Sequence, residues 1–273
     1  MRRQHKYILA LRAYGDFTIL LNALLNAANP FGYQVIASAH LKPLFEALRP
    51  HLNLGGINIQ FKEIGIRHSL LGVFTNKYLF NANTYQELKQ LQLILDELPT
   101  GDLVVEQKSR KWLLSMLVNK KCSSIAAGSF VYASYANFFH AAYPAISHPI
   151  KPNRVLILPT ARQAFRNIPS ADILYIKQSF ADNAIVQAGF YANNQLAEIS
   201  ENDFLYSSFQ ELVARIMESE LVFCPDSLQA HLCQLLGKPH YILHPRGLSK
   251  AFFTPHVMSL AKHKVFGSNY LNP

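Results

Sequence analysis

Residues Tyr7–Ala39, YILALRAYGDFTILLNALLNAANPFGYQVIASA, decide the fold. Tyr7–Leu11 is a short unbroken apolar run, as expected of a strand covered on both faces. Gly15-Asp16 follows it, where glycine permits a tight turn, and Phe17–Ala28 is an apolar segment of helical length. Pro30-Phe31-Gly32 breaks that helix, Gln34–Ala39 reads as a second strand, and Lys42–Leu48 as a second helix. Parallel neighbours in a sheet need a long crossover, usually a helix, so this alternation predicts a parallel α/β sheet.

Outward from this unit the same grammar continues. Leu88, Leu91, Ile94, Leu95 and Leu98 form a helical stripe within Tyr85–Leu98. Asp102–Val105 and Ser123–Ala126 read as strands, with Trp112–Val118 helical between them. Pro144, Pro149 and Pro152 then mark a linker, and strand–helix alternation restarts. Arg154–Leu158 is a clean strand. Ile173–Ile176 is apolar and of strand length, and Ile185–Ala188 reads as the next strand. Ser208–Glu218 carries Phe209, Leu212, Val213 and Ile216 on one helical face. Leu221–Cys224 is a strand and Ser227–Leu236 a helix stopped by Gly237 and Pro239. Tyr241–Leu243 is the last strand, with a further helix expected near Pro255–Lys262. Two α/β halves result, 1–148 and 149–273, predicted to face each other across a cleft lined by strand ends and helix N-termini. Such ends bind phosphate readily.

Composition narrows the chemistry. Half the residues are hydrophobic, enough to bury a core in a chain of 273 residues. The formal net charge of +9 favours anionic partners. The densest basic cluster is Lys108, Arg110, Lys111, Lys120 and Lys121, which also fits a solvated face. The three cysteines, Cys122, Cys224 and Cys233, form no CxxC pair, which argues against a zinc site or disulfide framework and for a reducing compartment. No apolar run is long enough to span a membrane, so the expectation is a cytoplasmic protein with peripheral contact at the inner membrane face.

Two segments carry candidate chemistry. Leu11-Arg12-Ala13-Tyr14-Gly15-Asp16 places a carboxylate where the first strand meets its helix. Asp16 is there either an N-cap or a general base. In Leu221–Pro239 a strand delivers Asp226 and Ser227 to a helix start, with His231 one turn later. These are either a cap and a partly buried histidine, or polar tips that address one ligand.

Taken together, the two segments resemble glycosyltransferase family nine, the bacterial heptosyltransferases. Tyr14-Gly15-Asp16 is similar to the family's opening Leu-Gly-Asp turn. Asp226, Ser227 and His231 keep the spacing of its Asp-Ser/Thr-Gly-x-x-His turn, and Gly237-Lys238-Pro239 keeps the Gly-x-Pro ending. Leu158-Pro159-Thr160-Ala161-Arg162 and Arg166-Asn167-Ile168-Pro169 resemble the family's Thr loop and Lys-x-Trp-Pro element, with Arg166 in the lysine's place. Val105-Glu106-Gln107 before the basic cluster resembles its Asp-x-Gln segment. The chain departs at Leu228, where the family has glycine, and at Ile168, where it has tryptophan.

The resemblance implies a GT-B fold, two facing Rossmann-like domains, the N-terminal one for the acceptor and the C-terminal one for the nucleotide sugar. It implies an inverting, metal-independent transfer with no cofactor, from a nucleotide-diphosphate sugar to a saccharide or lipid-linked saccharide of the cell surface. Heptose is the family's name-giving sugar, and an ADP-linked donor is one candidate. Asp16 would be the base. Thr160, Arg162 and Arg166 would neutralise the diphosphate, Arg166 with a forked geometry that lysine lacks. Asp226, Ser227 and His231 would orient the donor. Arg67, His68, Lys108 and Arg110 are candidates, by charge alone, for an anionic acceptor.

Other classes fit less well. Leu228 keeps open a binding or assembly protein of this fold without activity. Nucleic-acid binding accords with the charge, but aromatics do not interleave with Lys and Arg in a recognisable motif. No G-x-G-x-x-G follows the first strand, and no G-x-S-x-G elbow occurs, which argues against a dinucleotide oxidoreductase and a serine hydrolase. Cys224 and Cys233, in apolar surroundings, read as inert core.

Overall fold

The computed structural model describes residues 5–11, 13–29, 32–63, 82–98, 101–105, 122–125, 130–147, 149, 151–181, 184–192, 201–244 and 249–256. The chain separates into two compact units. One comprises Met1–Arg49, Asn53–Ser129 and Ala133–Ala142, the other Pro50–Leu52, Phe130–Tyr132 and Tyr143–Pro273.

The first unit begins with β1 (His5–Ala10), α1 (Tyr14–Leu25), β2 (Tyr33–Ser38), α2 (Lys42–Leu48) and β3 (Asn58–Lys62). It continues with α3 (Ala82–Asp96), β4 (Gly101–Val105), β5 (Cys122–Ser124) and most of α4 (Val131–Phe139). All strand pairs are parallel, in the order β3-β2-β1-β4-β5. β1 is central, with Ile8 opposite Val35 on one side and Val104 on the other. Its apolar run is buried for that reason. On one face Tyr7, Leu9 and Leu11 pack with Ile36, Leu103 and Val105 against Leu91 and Leu95 of α3. α1 is buried from Phe17 through Leu24, which explains a segment apolar on every side.

In the second unit come β6 (Arg154–Ile157), α5 (Ser170–Phe180), β7 (Ile185–Tyr191), β8 (Phe204–Tyr206), α6 (Phe209–Glu218), β9 (Leu221–Pro225), α7 (Leu228–Leu235) and β10 (His240–Leu243). The sheet is again parallel throughout, ordered β10-β9-β6-β7-β8. Both units thus wind alike, with the first strand central, the next two laid to one side and the last two to the other. In such sheets ligands bind beyond the carboxyl ends of the strands where the order reverses. Those switch points lie between β1 and β4, and between β6 and β9.

Several expectations are corrected. Ile173–Ile176 is not a strand but part of α5. Pro169 is its N-cap, and Ile173, Ile176 and Phe180 supply the stripe that packs on the core while Leu174 and Tyr175 are exposed. The helix expected at Phe17–Ala28 instead runs from Tyr14 to Leu25. It stops where Asn26 turns its side chain onto Asn22 and Ala27 bridges to Ala141. Gly15 lies inside α1, and the glycine that uses positive φ among the described residues is Gly237, at +67°. Strands β3 and β8 and helix α4 were not expected, and the segments at 112–118 and 257–262 lie outside the described residues.

Candidate functional site

The loop that leaves β6 is shaped by its own backbone. Leu158 N–H donates to Phe223 O at 2.8 Å, carrying the β6–β9 pairing one residue further. Ile168 N–H then donates to Pro159 O at 2.8 Å, and Ala161 N–H to Asn167 Oδ1 at 2.8 Å, so the loop closes on itself. Ile168 is buried in the core cluster and anchors the loop's far end by an apolar side chain.

This closure holds Arg166, the last residue of a 3-10 turn at Ala164–Arg166. Its Nη1 donates to Asp226 O at 2.9 Å and reaches Asp226 Oδ2 at 3.3 Å. The guanidinium lies 5.6 Å from the centre of the exposed Phe165 ring. Its Nε is a buried donor without a partner. Asp226, directly after β9, is only 2% exposed. Burial raises its pKa; the charges of Arg166 and His244 oppose that rise but do not cancel it.

Ser227 is the N-cap of α7, yet its hydroxyl does not cap the helix. It bonds Pro225 O at 3.2 Å and the side chain of Gln229. The N–H groups of the first turn are therefore not taken by the cap side chain, and the positive end of the helix lies beside Asp226 in sequence. Gln229 Nε2 donates to Thr160 O at 2.8 Å and Tyr206 Oη at 3.1 Å, joining α7 to the β6 loop and β8. Burial raises the pKa of Tyr206, and the hydrogen bond from Gln229 opposes that rise without cancelling it; Thr160 is buried with no partner for its hydroxyl among the described residues. His231 is 5% exposed, with Nδ1 3.1 Å from Tyr132 Oη. Burial, with the Arg166 charge as a second cause, lowers its pKa to about 4, so the ring is neutral near pH 7.

Leu228 opens α7 with no positive φ, so the chain does not use the conformational freedom of a glycine here. The helix ends as Gly237-Lys238-Pro239 implies. Gly237 N–H bonds Gln234 O and Lys238 N–H bonds Cys233 O at 2.8 Å, a Schellman closure that positive φ makes possible. Lys238 Nζ then donates to Met217 O and Ser219 O at the end of α6.

Of the candidates read from sequence, Thr160, Arg166, Asp226, Ser227 and His231 thus gather at the carboxyl ends of β6 and β9. Arg162 is exposed and makes none of these contacts. Asp16 belongs to the first unit, half-buried at the carboxyl end of β1. It is the third residue of α1, not its N-cap, which is Ala13. Arg67, His68, Glu106, Gln107 and the cluster Lys108, Arg110, Lys111, Lys120 and Lys121 lie outside the described residues. Gln229, Tyr206 and Tyr132 were missed. Only Gln229 left a signal, a polar residue between Ser227 and His231 on an otherwise apolar helix. Among the described residues, no group of three or more His, Cys, Asp or Glu could hold a metal ion.

No family model matches this sequence, and no curated protein does. Solved structures do match. The chain is similar to a family 9 glycosyl transferase from Veillonella parvula, at 9% identity over 93% of this chain and 85% of that one, TM-score 0.64. It is also similar to the E. coli ADP-heptose LPS heptosyltransferase II, at 14% identity over 93% and 88%, TM-score 0.57. E. coli heptosyltransferase WaaC, solved with ADP-2-deoxy-2-fluoro heptose, matches at 14% identity over 90% and 91%, TM-score 0.54. At these identities the likeness is one of fold: the chain has the GT-B fold of the family-nine heptosyltransferases.

Proposed function

We propose that this protein is a glycosyltransferase that takes its sugar from a nucleotide-diphosphate sugar bound at the carboxyl ends of β6 and β9. One observation carries the reading: Arg166 is fixed on Asp226 through Nη1 while its buried Nε lacks a partner. A guanidinium with an unused donor, next to the uncapped start of α7, suits a diphosphate. The structural likeness to proteins solved with ADP or an ADP-linked heptose makes an ADP-linked donor, with heptose as the sugar, the first candidate.

The transfer is a single displacement. The acceptor oxygen attacks the anomeric carbon as the bond to the diphosphate breaks, inverting the centre. The hydroxyl proton passes to Asp16, and the charge on the departing diphosphate is taken by Arg166 and the amides of α7. Fixed donors that meet developing charge are usually the largest catalytic contribution. Neutral His231 and Ser227 orient the donor, Thr160 and Asp226 shape its seat, and Arg162 meets the outer phosphate from its exposed position. No step needs a metal ion. The acceptor is an anionic saccharide or lipid-linked saccharide, in keeping with the net charge of +9. The setting is the cytoplasm, at the inner face of the membrane. Contact with that face is peripheral in this reading; no helix among the described residues is long and apolar enough to cross a membrane.

Asp16→Ala tests the assignment of the base. We expect loss of sugar transfer by at least about 100-fold, in line with general-base catalysis, with ADP affinity within about twofold of the parent. Retained turnover would remove Asp16 from that role.

A further inference from the structure

His231 has two ring nitrogens, and a ligand meets a different partner at each tautomer. Nδ1 lies 3.1 Å from Tyr132 Oη, and the two rings pack with centroids 5.9 Å apart. Tyr132 is fully buried and held in turn, its carbonyl accepting from Tyr143 Oη at 3.2 Å and its ring edge-on to Tyr143 at 5.3 Å. Its position is therefore set before any ligand arrives. A phenol, with a pKa of about 10, is a much stronger acid than the N–H of neutral imidazole, and imidazole nitrogen is the better acceptor. Of the two arrangements open to this hydrogen bond, Tyr132 O–H donating to Nδ1 is therefore the stronger.

We propose that Tyr132 is a positioning residue that fixes His231 as the Nε2–H tautomer, so that a neutral ring offers one N–H donor to an oxygen of the bound nucleotide sugar. Nε2 has no hydrogen bond among the described residues, and Arg166 is near enough for its charge to disfavour a second proton on the ring. The site then presents the Arg166 cation and, close to it, one neutral donor. A cationic His231 would crowd Arg166, and the other tautomer would turn a lone pair toward the anionic ligand. The ligand named here rests on the nucleotide-sugar reading above; the tautomer does not.

Two-bond 1H–15N correlation on histidine-labelled protein at pH 7, with His231 assigned from a His231→Gln spectrum, reads the tautomer without any ligand. A parent ring protonated at Nε2, becoming a mixture of tautomers in Tyr132→Phe, is the expected result. Protonation at Nδ1 in the parent overturns the proposal. ADP titration supplies the second arm. Tyr132→Phe should weaken ADP by about fivefold or more, the loss expected when one ordered donor is released. Unchanged affinity, in a parent that binds ADP, overturns the functional half. A parent that binds no nucleotide contradicts the donor reading instead, and the spectrum still decides the tautomer. Should Tyr132→Phe fail to fold, the parent spectrum alone remains decisive.

Discussion

Removing Arg166 should expose how strongly Asp226 depends on it. The Asp226 side chain is 3% exposed and its carboxylate stands 3.3 Å from Arg166 Nη1. At that separation and an effective dielectric of 20, the bare attraction is about 5 kcal/mol. The Arg166 side chain keeps 30% of its surface in solvent, which screens the pair, so we expect a coupling of about 2 kcal/mol. Arg166→Ala also strands the Asp226 carbonyl and a buried charge, for a total loss of about 3 kcal/mol at pH 7. In an Asp226→Asn background the same change should cost only about 1 kcal/mol, because no charge is left unpaired. The penalty should also shrink at pH 5. Burial already raises the Asp226 pKa, and without Arg166 it rises further, so the carboxyl takes up a proton and no longer needs a cation. Urea denaturation of the four variants at both pH values gives the cycle. Additivity within about 0.5 kcal/mol, or one penalty at both pH values, refutes the pair as an energetic unit.

Acid stability should report the buried histidines. His231 is held to about 4 and His240 to about 3, chiefly by burial, against an unfolded value near 6.5. Their folded pKa values are lowered, so unfolding takes up protons, and stability present above pH 6.5 is lost as pH falls toward 4. Near pH 5 two such groups give a slope of about 2.7 kcal/mol per pH unit, eased at the acid end by Asp226, whose raised pKa works in the opposite direction. His231→Gln should roughly halve the slope measured by denaturation from pH 5 to 6.5; an unchanged slope contradicts this. Gly189, in β7, is a packing constraint: a Cβ there would lie 2.6 Å from Phe204 Cζ and 3.1 Å from Leu158 Cδ2. Gly189→Ala should therefore cost about 1–3 kcal/mol, and a neutral change in Tm would show that the Phe204 ring swings aside freely.

The sequence carried the central strands more clearly than the edges. β1, β6 and β9 are covered on both faces, which demands unbroken apolar runs, and those runs are visible. β3 is half-covered and reads NIQFK, while β8 has only three residues, so neither leaves a periodic signal. Ile173–Ile176 misled because four adjacent apolar residues fit a buried strand as well as a helix that leaves two of them in solvent. At the site, the resemblance to family nine named Arg166, Asp226 and His231 as candidates, and the structure gathers them at the carboxyl ends of β6 and β9. That Arg166 is already spent in part on Asp226, and His231 on Tyr132, depends on contacts spanning 60 and 99 residues, which no local pattern encodes.

The most direct test of the donor site is calorimetric titration of ADP into the parent protein and into Arg166→Ala. The account predicts a parent that binds one ADP per chain and a variant weaker by about 10–100-fold, the loss expected for a charge-assisted phosphate contact. A parent that binds no nucleoside diphosphate, or a variant that binds as tightly as the parent, would contradict it.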